Sequence, residues 1–154
     1  MSSIKEYWDG FLSATHQNAD EVDYAGEIGF EGYGVQGTEL INLVLDETKT
    51  ASFSAYESFT INMEPVPVAG ELYIVEDNND EPVCVIELTD VQVLPFKEVT
   101  WEMARKEGED ADLESWRDKQ KEYMSDEAAV CGFEFNEDSP VVFEAFHVIY
   151  RKLR

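Results

Sequence analysis

The sequence predicts a mixed α+β fold with a mostly antiparallel or barrel-like sheet. Segments with helical spacing and segments with strand-like alternation are interspersed, and they do not follow the regular strand-helix-strand order of parallel units. The chain has 154 residues, of which 44% are hydrophobic, so it can bury a substantial core. We therefore expect residues 1–154 to form a single domain.

The N-terminal quarter is expected to hold two helices separated by a loop. Ser3 and Glu6 have the spacing of a capping box, which places the first helix at about residues 3–16. Residues 25–37, AGEIGFEGYGVQG, are rich in glycine but lack the spacing of a dinucleotide-binding loop. They are predicted to form a loop that leads into a second helix capped by Thr38.

Four segments show the features of strands. From Lys49 onward small and β-branched residues alternate with period two, which predicts a strand that begins at this lysine. Further strands are expected over residues 71–77, 82–96 and 140–153, with a turn between the first two of these. Lys49 therefore lies at a junction between a helix and a strand.

Two more helices are expected between the last two strands. The first is short, with Thr100 as its cap and Gly108 as its stop. The second extends from about Leu113 to Val130, and Gly132 lies just past its end. Together with the N-terminal segments they supply helices that can flank the sheet.

The chain is strongly acidic, with 34 acidic and 11 basic residues and a formal net charge of −23. Such a surface repels phosphate backbones, so tight non-specific binding of long DNA or RNA is disfavoured. A small neutral ligand is much less affected, and a local basic pocket could still accept one nucleotide. The alternative is that the charge serves only to maintain solubility.

The sequence predicts a cytoplasmic protein with no membrane partner. No apolar run approaches the length of about 18 residues that indicates a membrane helix, and the start MSSIKEYWDG lacks the features of a signal peptide. Cys84 and Cys131 lie far apart in apolar surroundings, which favours buried thiols in a reducing compartment over a disulfide.

No cofactor and no metal site are expected. His16 and His147 lack cysteine or carboxylate neighbours at the spacing of zinc ligands. The acidic run at residues 107–114 lacks the pattern of a calcium-binding loop and is more typical of a solvated helix start.

Lys49 and Ser52 are the most specific candidates for catalytic residues. A lysine that loses its proton can act as the base for a serine nucleophile, as it does in Ser-Lys hydrolases. Strand alternation places Thr50, Ser52 and Ser54 on one face and Lys49 on the other, although a long lysine at a strand's first residue can curl back. An exposed lysine beside an ordinary strand serine is the structural alternative.

Several stretches resemble the ASCH family, which is related to the PUA-like RNA-binding barrels. The resemblance extends from about Phe30 to Arg151. The stretches that carry it are TELINLVLDETKTASFS, VAGELYIVEDNNDEPVCVIELTDVQVLPFKEVTWEMARKEGE, LESWR and FEFNEDSPVVFEAFHVIYR. The resemblance implies a PUA-like β-barrel with flanking helices beside a cleft.

The family's pattern G-x-K-x-x-[TS] at the junction of helix and first strand matches residues 47–52, ETKTAS. Lys49 takes the lysine position, Ser52 takes the hydroxyl position, and Glu47 replaces the glycine. Some bacterial members remove the acetyl group from acetylcytidine with a lysine, a threonine and a glutamate. The resemblance therefore implies a catalytic set of Lys49, Ser52 and Glu107, and Thr50, Ser54 and Arg105 are expected to contact the substrate.

The hypothesis is thus an amide hydrolase for acylated nucleosides, with a nucleoside-like molecule or a short RNA as its partner. The alternative is a non-catalytic RNA-binding or regulatory module, or a ribonuclease, because other members are described as RNA binders and at least one as a ribonuclease. RNA binding would draw on the chain's few cations. The main ones are Lys97, Arg105, Lys106, Arg117, Lys119, Lys121, Arg151, Lys152 and Arg154.

Overall fold

The structure, a computed structural model, describes residues 4–29, 37–77 and 81–151. Five helices and five strands alternate irregularly in these residues. In chain order they are α1 Ile4–Ala14, β1 Gly26–Gly29, α2 Gly37–Leu45, β2 Ala51–Ala55, α3 Tyr56–Ile61, β3 Leu72–Glu76, β4 Pro82–Pro95, α4 Trp101–Ala104, α5 Leu113–Cys131 and β5 Pro140–Arg151. Short 3₁₀ turns at Phe96–Glu98 and Arg105–Glu107 precede and follow α4.

The strands form one sheet in the order β1-β3-β4-β5-β2. Only the pairing of β1 with β3 is parallel among the described strands, and the other three pairings are antiparallel. The predicted α+β class with a mostly antiparallel sheet is therefore confirmed. The long strands β4 and β5 pair along most of their length and form the centre of the sheet.

The two faces of the sheet pack against different helices. On one face, Phe53 of β2 and Phe143 of β5 pack against Trp116 of α5. On the other, Phe146 of β5 lies in a cluster with Val44 of α2. We call these the α5 face and the α2 face. Because side chains alternate along a strand, each strand contributes to both faces.

Helix α1 is shorter than the predicted helix at about residues 3–16 and spans Ile4–Ala14. Its apolar stripe, which includes Trp8 and Phe11, packs against Ile74 of β3 and Val85 of β4. Residue 3, the predicted cap, lies outside the described residues. No helix in the described ranges is long and apolar enough to cross a membrane, and both Cys84 and Cys131 are free thiols.

The prediction of a loop over residues 25–37 is wrong for four of them, because Gly26–Gly29 form strand β1. β1 pairs in parallel with β3, with Gly26 opposite Tyr73 and Gly29 opposite Glu76. This pairing uses backbone N–H and C=O groups, so it requires no alternation of side chains that a sequence pattern would reveal. Residues 30–36 lie outside the described residues.

Two predicted element starts differ from the structure. α2 begins at Gly37, so Thr38 is the second residue of the helix and not its cap. β2 begins at Ala51 and not at Lys49, because Lys49 N donates to Leu43 O and completes the end of α2. The expected period-two pattern is confirmed from Ala51 onward, where buried and half-buried residues alternate.

Candidate active site

The junction between α2 and β2 turns on a residue with a left-handed backbone. Glu47 has φ 63°, and Thr48 N donates to Leu43 O at 2.9 Å in the pattern that closes many helices. Glycine adopts this conformation most easily because it lacks a Cβ atom. The resemblance leads us to expect glycine at the position of Glu47, and the backbone conformation found there is one that glycine adopts easily.

We expect Glu47→Gly to stabilise the protein. A non-glycine residue in the left-handed region costs about 1–2 kcal/mol, and the greater freedom of glycine in the unfolded chain offsets about 0.4–1 kcal/mol of this. The net gain in the free energy of unfolding should be about 0.5–1 kcal/mol, measured by urea titration. Glu47→Ala removes the same exposed carboxylate but keeps the Cβ atom, so a glycine variant no more stable than the alanine variant would refute the expectation.

The start of β2 is docked against the turn that follows α4. Thr50 N donates to Lys106 O at 2.7 Å. Gly108 has φ 77°, and a Cβ atom there would lie 2.6 Å from Thr48 O. Only glycine permits this approach of the two backbones, and the approach brings Glu107 next to Lys49.

Lys49 is held by two carboxylates in the interior. Its Nζ lies 3.1 Å from Glu107 Oε2 and 3.3 Å from Glu109 Oε2, and Lys49 and Glu107 are only 3% and 4% exposed. The structure thus brings together two of the three residues expected to act in catalysis. Both of these contacts join the lysine amine to carboxylates of the segment that follows α4.

Glu107 is fixed on its other side by α5. Its Oε1 accepts hydrogen bonds from Trp116 Nε1 at 2.7 Å and from Gln120 Nε2 at 2.9 Å. Burial raises the pKa of the Glu107 carboxyl, and the charge of Lys49 and the bond from Trp116 oppose that shift. The hydrogen bonds found for this carboxyl group therefore hold it on the α5 side of β2.

Ser52 makes its bond with a different partner, on the α2 face of the sheet. Ser52 Oγ donates to Glu144 Oε2 at 3.4 Å. The two residues stand directly opposite each other on β2 and β5, in register between the pairs Phe53–Phe143 and Ala51–Ala145. The hydrogen bond of Ser52 therefore leads to Glu144 on the α2 face, whereas the bonds of Lys49 lead to Glu107, which is bonded to α5, and to Glu109.

Glu144 belongs to a polar cluster on the α2 face that also contains Ser52, Glu71 and Tyr73, which we call the Ser52–Glu144 cluster. Burial raises the pKa of Glu144 to about 7, with a contribution from the charge of Glu71, while the bond from Ser52 opposes the shift. Tyr73 OH donates to Glu71 Oε1 at 3.3 Å. Burial and the two nearby carboxylates raise the pKa of Tyr73 as well.

The three residues expected to contact the substrate have different surroundings. Thr50 Oγ1 donates to Lys106 O at 3.5 Å. Ser54 is half-buried on the same face as Ser52 and pairs with Val142. Arg105 is exposed, and its guanidinium bonds Glu102 at 3.2 Å on the surface. The first two therefore flank Ser52 along the chain, and Arg105 is held by a carboxylate.

Several of the cations that an RNA-binding surface would use are engaged by acidic side chains. The pairs found among the described residues are Lys97–Asp138 at 2.6 Å, Arg105–Glu102 at 3.2 Å, Lys119–Asp110 at 3.1 Å and Lys121–Glu137 at 3.5 Å. Lys152 and Arg154 lie outside the described residues. Within the ranges that the structure covers, no group of three or more His, Cys, Asp or Glu residues is arranged to hold a metal ion.

Sequence reasoning missed Glu144, Glu71, Tyr73 and Glu109. A signal for the first was present, because Glu144 is the only charged residue in the run VVFEAF of the last strand. A lone carboxyl group in an otherwise apolar strand indicates either an exposed position or a buried group with a role. Its partner was not visible, because Ser52 and Glu144 are brought together only by the pairing of β2 with β5.

Comparison with known proteins places this fold in a family. The sequence model of the ASCH domain matches residues 30–150. An ASCH domain from Lactobacillus crispatus JV V101 is 26% identical with a TM-score of 0.85, and the match covers 96% of this chain and 94% of that one. A protein from Enterococcus faecalis V583 is 25% identical with a TM-score of 0.83, over 95% of this chain and 87% of that one.

No curated protein matches the chain. A hypothetical protein of known structure is 15% identical with a TM-score of 0.53, over 80% of this chain and 98% of that one, and it shows the fold alone. The curled, five-stranded half-barrel with its helices agrees with the PUA-like architecture that the resemblance implied. From the match over residues 30–150 we conclude that the chain belongs to the ASCH domain family.

Proposed function

We propose that this ASCH domain is an amide hydrolase for acylated nucleosides and that Ser52 is its nucleophile. The observation that carries the proposal is the hydrogen bond from Ser52 Oγ to Glu144 Oε2 at 3.4 Å. It places the hydroxyl of the family's G-x-K-x-x-[TS] pattern beside a carboxyl group in a half-buried setting. A serine next to a proton acceptor is the arrangement that nucleophilic catalysis requires.

Lys49 and Glu107 have a positioning role in this proposal. Their ion pair is buried and is braced by Trp116, and it lies where the chain enters β2. It therefore fixes the backbone that presents Ser52. The contacts found for the Lys49 amine are with Glu107 and Glu109, and the contact found for Ser52 Oγ is with Glu144, so this geometry gives no support to proton transfer from Ser52 to Lys49.

The charge of the protein favours a neutral substrate of nucleoside size. With a net charge of −23, the surface repels phosphate groups. An acylated nucleoside carries no phosphate, and the hydroxyl groups of Thr50 and Ser54, two residues to either side of Ser52, are proposed to bind it. A ligand that uses Arg105 must first displace Glu102.

The alternative of an RNA-binding module or a ribonuclease is less favoured by the described surface. RNA binding depends on cations that neutralise phosphates, and four of the candidate cations are already bonded to carboxylates. Glu71 and Glu144 are acidic groups near Ser52, and acidic groups disfavour the approach of a phosphate.

A hydrolysis assay tests the proposal. Purified protein is incubated with acetylcytidine and related acylated nucleosides, and the free nucleoside is followed by chromatography. We expect wild-type turnover and a loss of at least about a thousand-fold in Ser52→Ala, as found when serine nucleophiles are removed. Ser125→Ala, an exposed serine of α5, is the matched control and should keep full activity.

Two results would reject the proposal. One is the absence of turnover with every acylated nucleoside tested. The other is turnover in Ser52→Ala equal to that of the wild type, since a nucleophile cannot be removed without loss of the covalent step.

A further inference from the structure

We infer that the Glu144 carboxylate, and not the Lys49 amine, is the general base that takes the proton from Ser52 Oγ. The inference rests on the proposed function, because it assigns the proton acceptor for the proposed nucleophile. It names a residue that lies 92 positions away from Ser52 along the chain.

The first support is the geometry of the pair. Ser52 and Glu144 are directly opposed on β2 and β5, so their side chains leave the sheet on the same face. The distance of 3.4 Å between Ser52 Oγ and Glu144 Oε2 is long for a hydroxyl-to-carboxylate bond. Such bonds commonly shorten when substrate is bound.

The second support is the electrostatic setting of Glu144. A base works best when its pKa lies near the working pH, and burial together with Glu71 raises the pKa of Glu144 to about 7. The ion pairs found in the described residues leave Glu144 without a cation, whereas Lys49 has two carboxylates at 3.1 and 3.3 Å.

The groups that interact with Glu144 lie on other strands of the sheet. Ser52 lies on β2, Tyr73 lies on β3, and Glu71 lies just before β3. On β4 its register partner is the apolar Val91. Helix α2 contributes no titratable side chain from residues 41–45. The charge of Glu64 also contributes to the raised pKa of Tyr73.

These groups give a balanced reaction. Glu144 accepts the Ser52 proton while Oγ forms a bond to the amide carbon, and the carbonyl electron pair moves to oxygen. The intermediate collapses, the C–N bond breaks, and protonated Glu144 gives its proton to the leaving nitrogen. Glu144 then deprotonates a water, which cleaves the acyl-serine ester and yields the free acid, while Ser52 regains its proton.

The test compares Glu144→Gln with wild-type protein in two assays. The first is kcat/KM for acetylcytidine as a function of pH. The second is the rate at which a fluorophosphonate, a probe for activated serines, labels Ser52, followed by intact-mass and peptide mass spectrometry. Glu87→Gln is the matched control, because Glu87 is also a strand glutamate with a cross-strand partner, His147 at 3.0 Å.

We expect both wild-type rates to rise with pH through an inflection near the pKa of about 7. In Glu144→Gln both rates should fall by at least about a hundred-fold, and the inflection should disappear. Glu144→Asp, which keeps the carboxylate, should recover part of the loss. Glu87→Gln should keep the wild-type rates and the wild-type inflection.

The outcomes separate the inference from the proposed function. Acetylcytidine turnover that is unchanged in Glu144→Gln would overturn the inference and leave the hydrolase standing. Absence of turnover with labelling of Ser52 that depends on Glu144 would reject the substrate class and support the inference. Equal labelling in both proteins, or no labelling of Ser52, would overturn the inference whatever the turnover shows.

Discussion

Lys49→Met is expected to lower the free energy of unfolding by about 3–5 kcal/mol, the usual loss when one partner of a buried ion pair is removed. Methionine matches the length of the lysine stem but carries no charge. Glu107 and Glu109 then remain close together without the ammonium that lies 3.1 and 3.3 Å from them. The measurement is urea unfolding followed by tryptophan fluorescence and circular dichroism.

The loss should also depend on pH. Burial already raises the pKa of Glu107, and removal of Lys49 takes away a charge that opposes this shift. A carboxyl group whose pKa is raised in the folded state lowers stability as pH rises, because the unfolded chain loses its proton first. The difference between Lys49→Met and wild type should therefore be smallest in acid and grow toward neutral pH.

Two controls test whether the loss of stability comes from the buried ion pair. Lys5→Met removes an exposed lysine paired with Asp9 on α1 and should leave stability almost unchanged. Adding Glu107→Gln and Glu109→Gln to Lys49→Met should recover part of the loss, since no unpaired charge is then buried. If Lys49→Met is as stable as Lys5→Met at neutral pH, the buried pair does not hold the start of β2.

Glu144→Gln is expected to make the protein more stable above pH 7, although it should lower activity strongly. The pKa of Glu144 is raised from 4.5 to about 7 in the folded protein. Because each tenfold change in an acid dissociation constant corresponds to about 1.4 kcal/mol, ionisation of the folded carboxyl costs on the order of 3 kcal/mol. The glutamine keeps the shape of the side chain and carries no charge.

The pH range of this effect follows from the pKa values of Glu144 in the unfolded and the folded protein. As pH rises past about 4.5 the unfolded carboxyl loses its proton, while the folded one keeps it until about 7. Wild-type stability should fall relative to Glu144→Gln across this window and stay lower above it. Urea titrations from pH 4 to pH 8, with Glu87→Gln as the matched substitution, measure the difference. If the difference in stability between Glu144→Gln and wild type does not change with pH, ionisation of the Glu144 carboxyl is not what lowers wild-type stability.

The long elements were predictable because their side chains carry the pattern of the fold. β3, β4 and β5 bury apolar residues on both faces, and the helix that begins at Leu113 has a capping residue before it and Gly132 after it. β1 was not predictable, since it is four residues long and is defined by backbone pairing with β3. Its glycines favour a loop by composition, and only the neighbouring strand overrides that preference.

The candidate site was predictable in part. The contact of Lys49 with Glu107 was expected from the resemblance, which aligned both residues with the family's functional set. The role of Glu109 as a second partner was not, because the acidic run around it is typical of a solvated helix start. Glu144 escaped prediction because its chemistry depends on burial and on the register between β2 and β5, which no local pattern encodes.

The search for an acyl-enzyme is the most direct test of Ser52 as the nucleophile. Protein is mixed with acetylcytidine, quenched in acid within the first turnovers and digested, and the acetylated peptide is located by mass spectrometry. We expect one acetyl group, attached as an ester to Ser52 and absent in Ser52→Ala. Hydrolysis that proceeds with an acetyl group on another residue, or that continues unchanged in Ser52→Ala, would contradict this expectation.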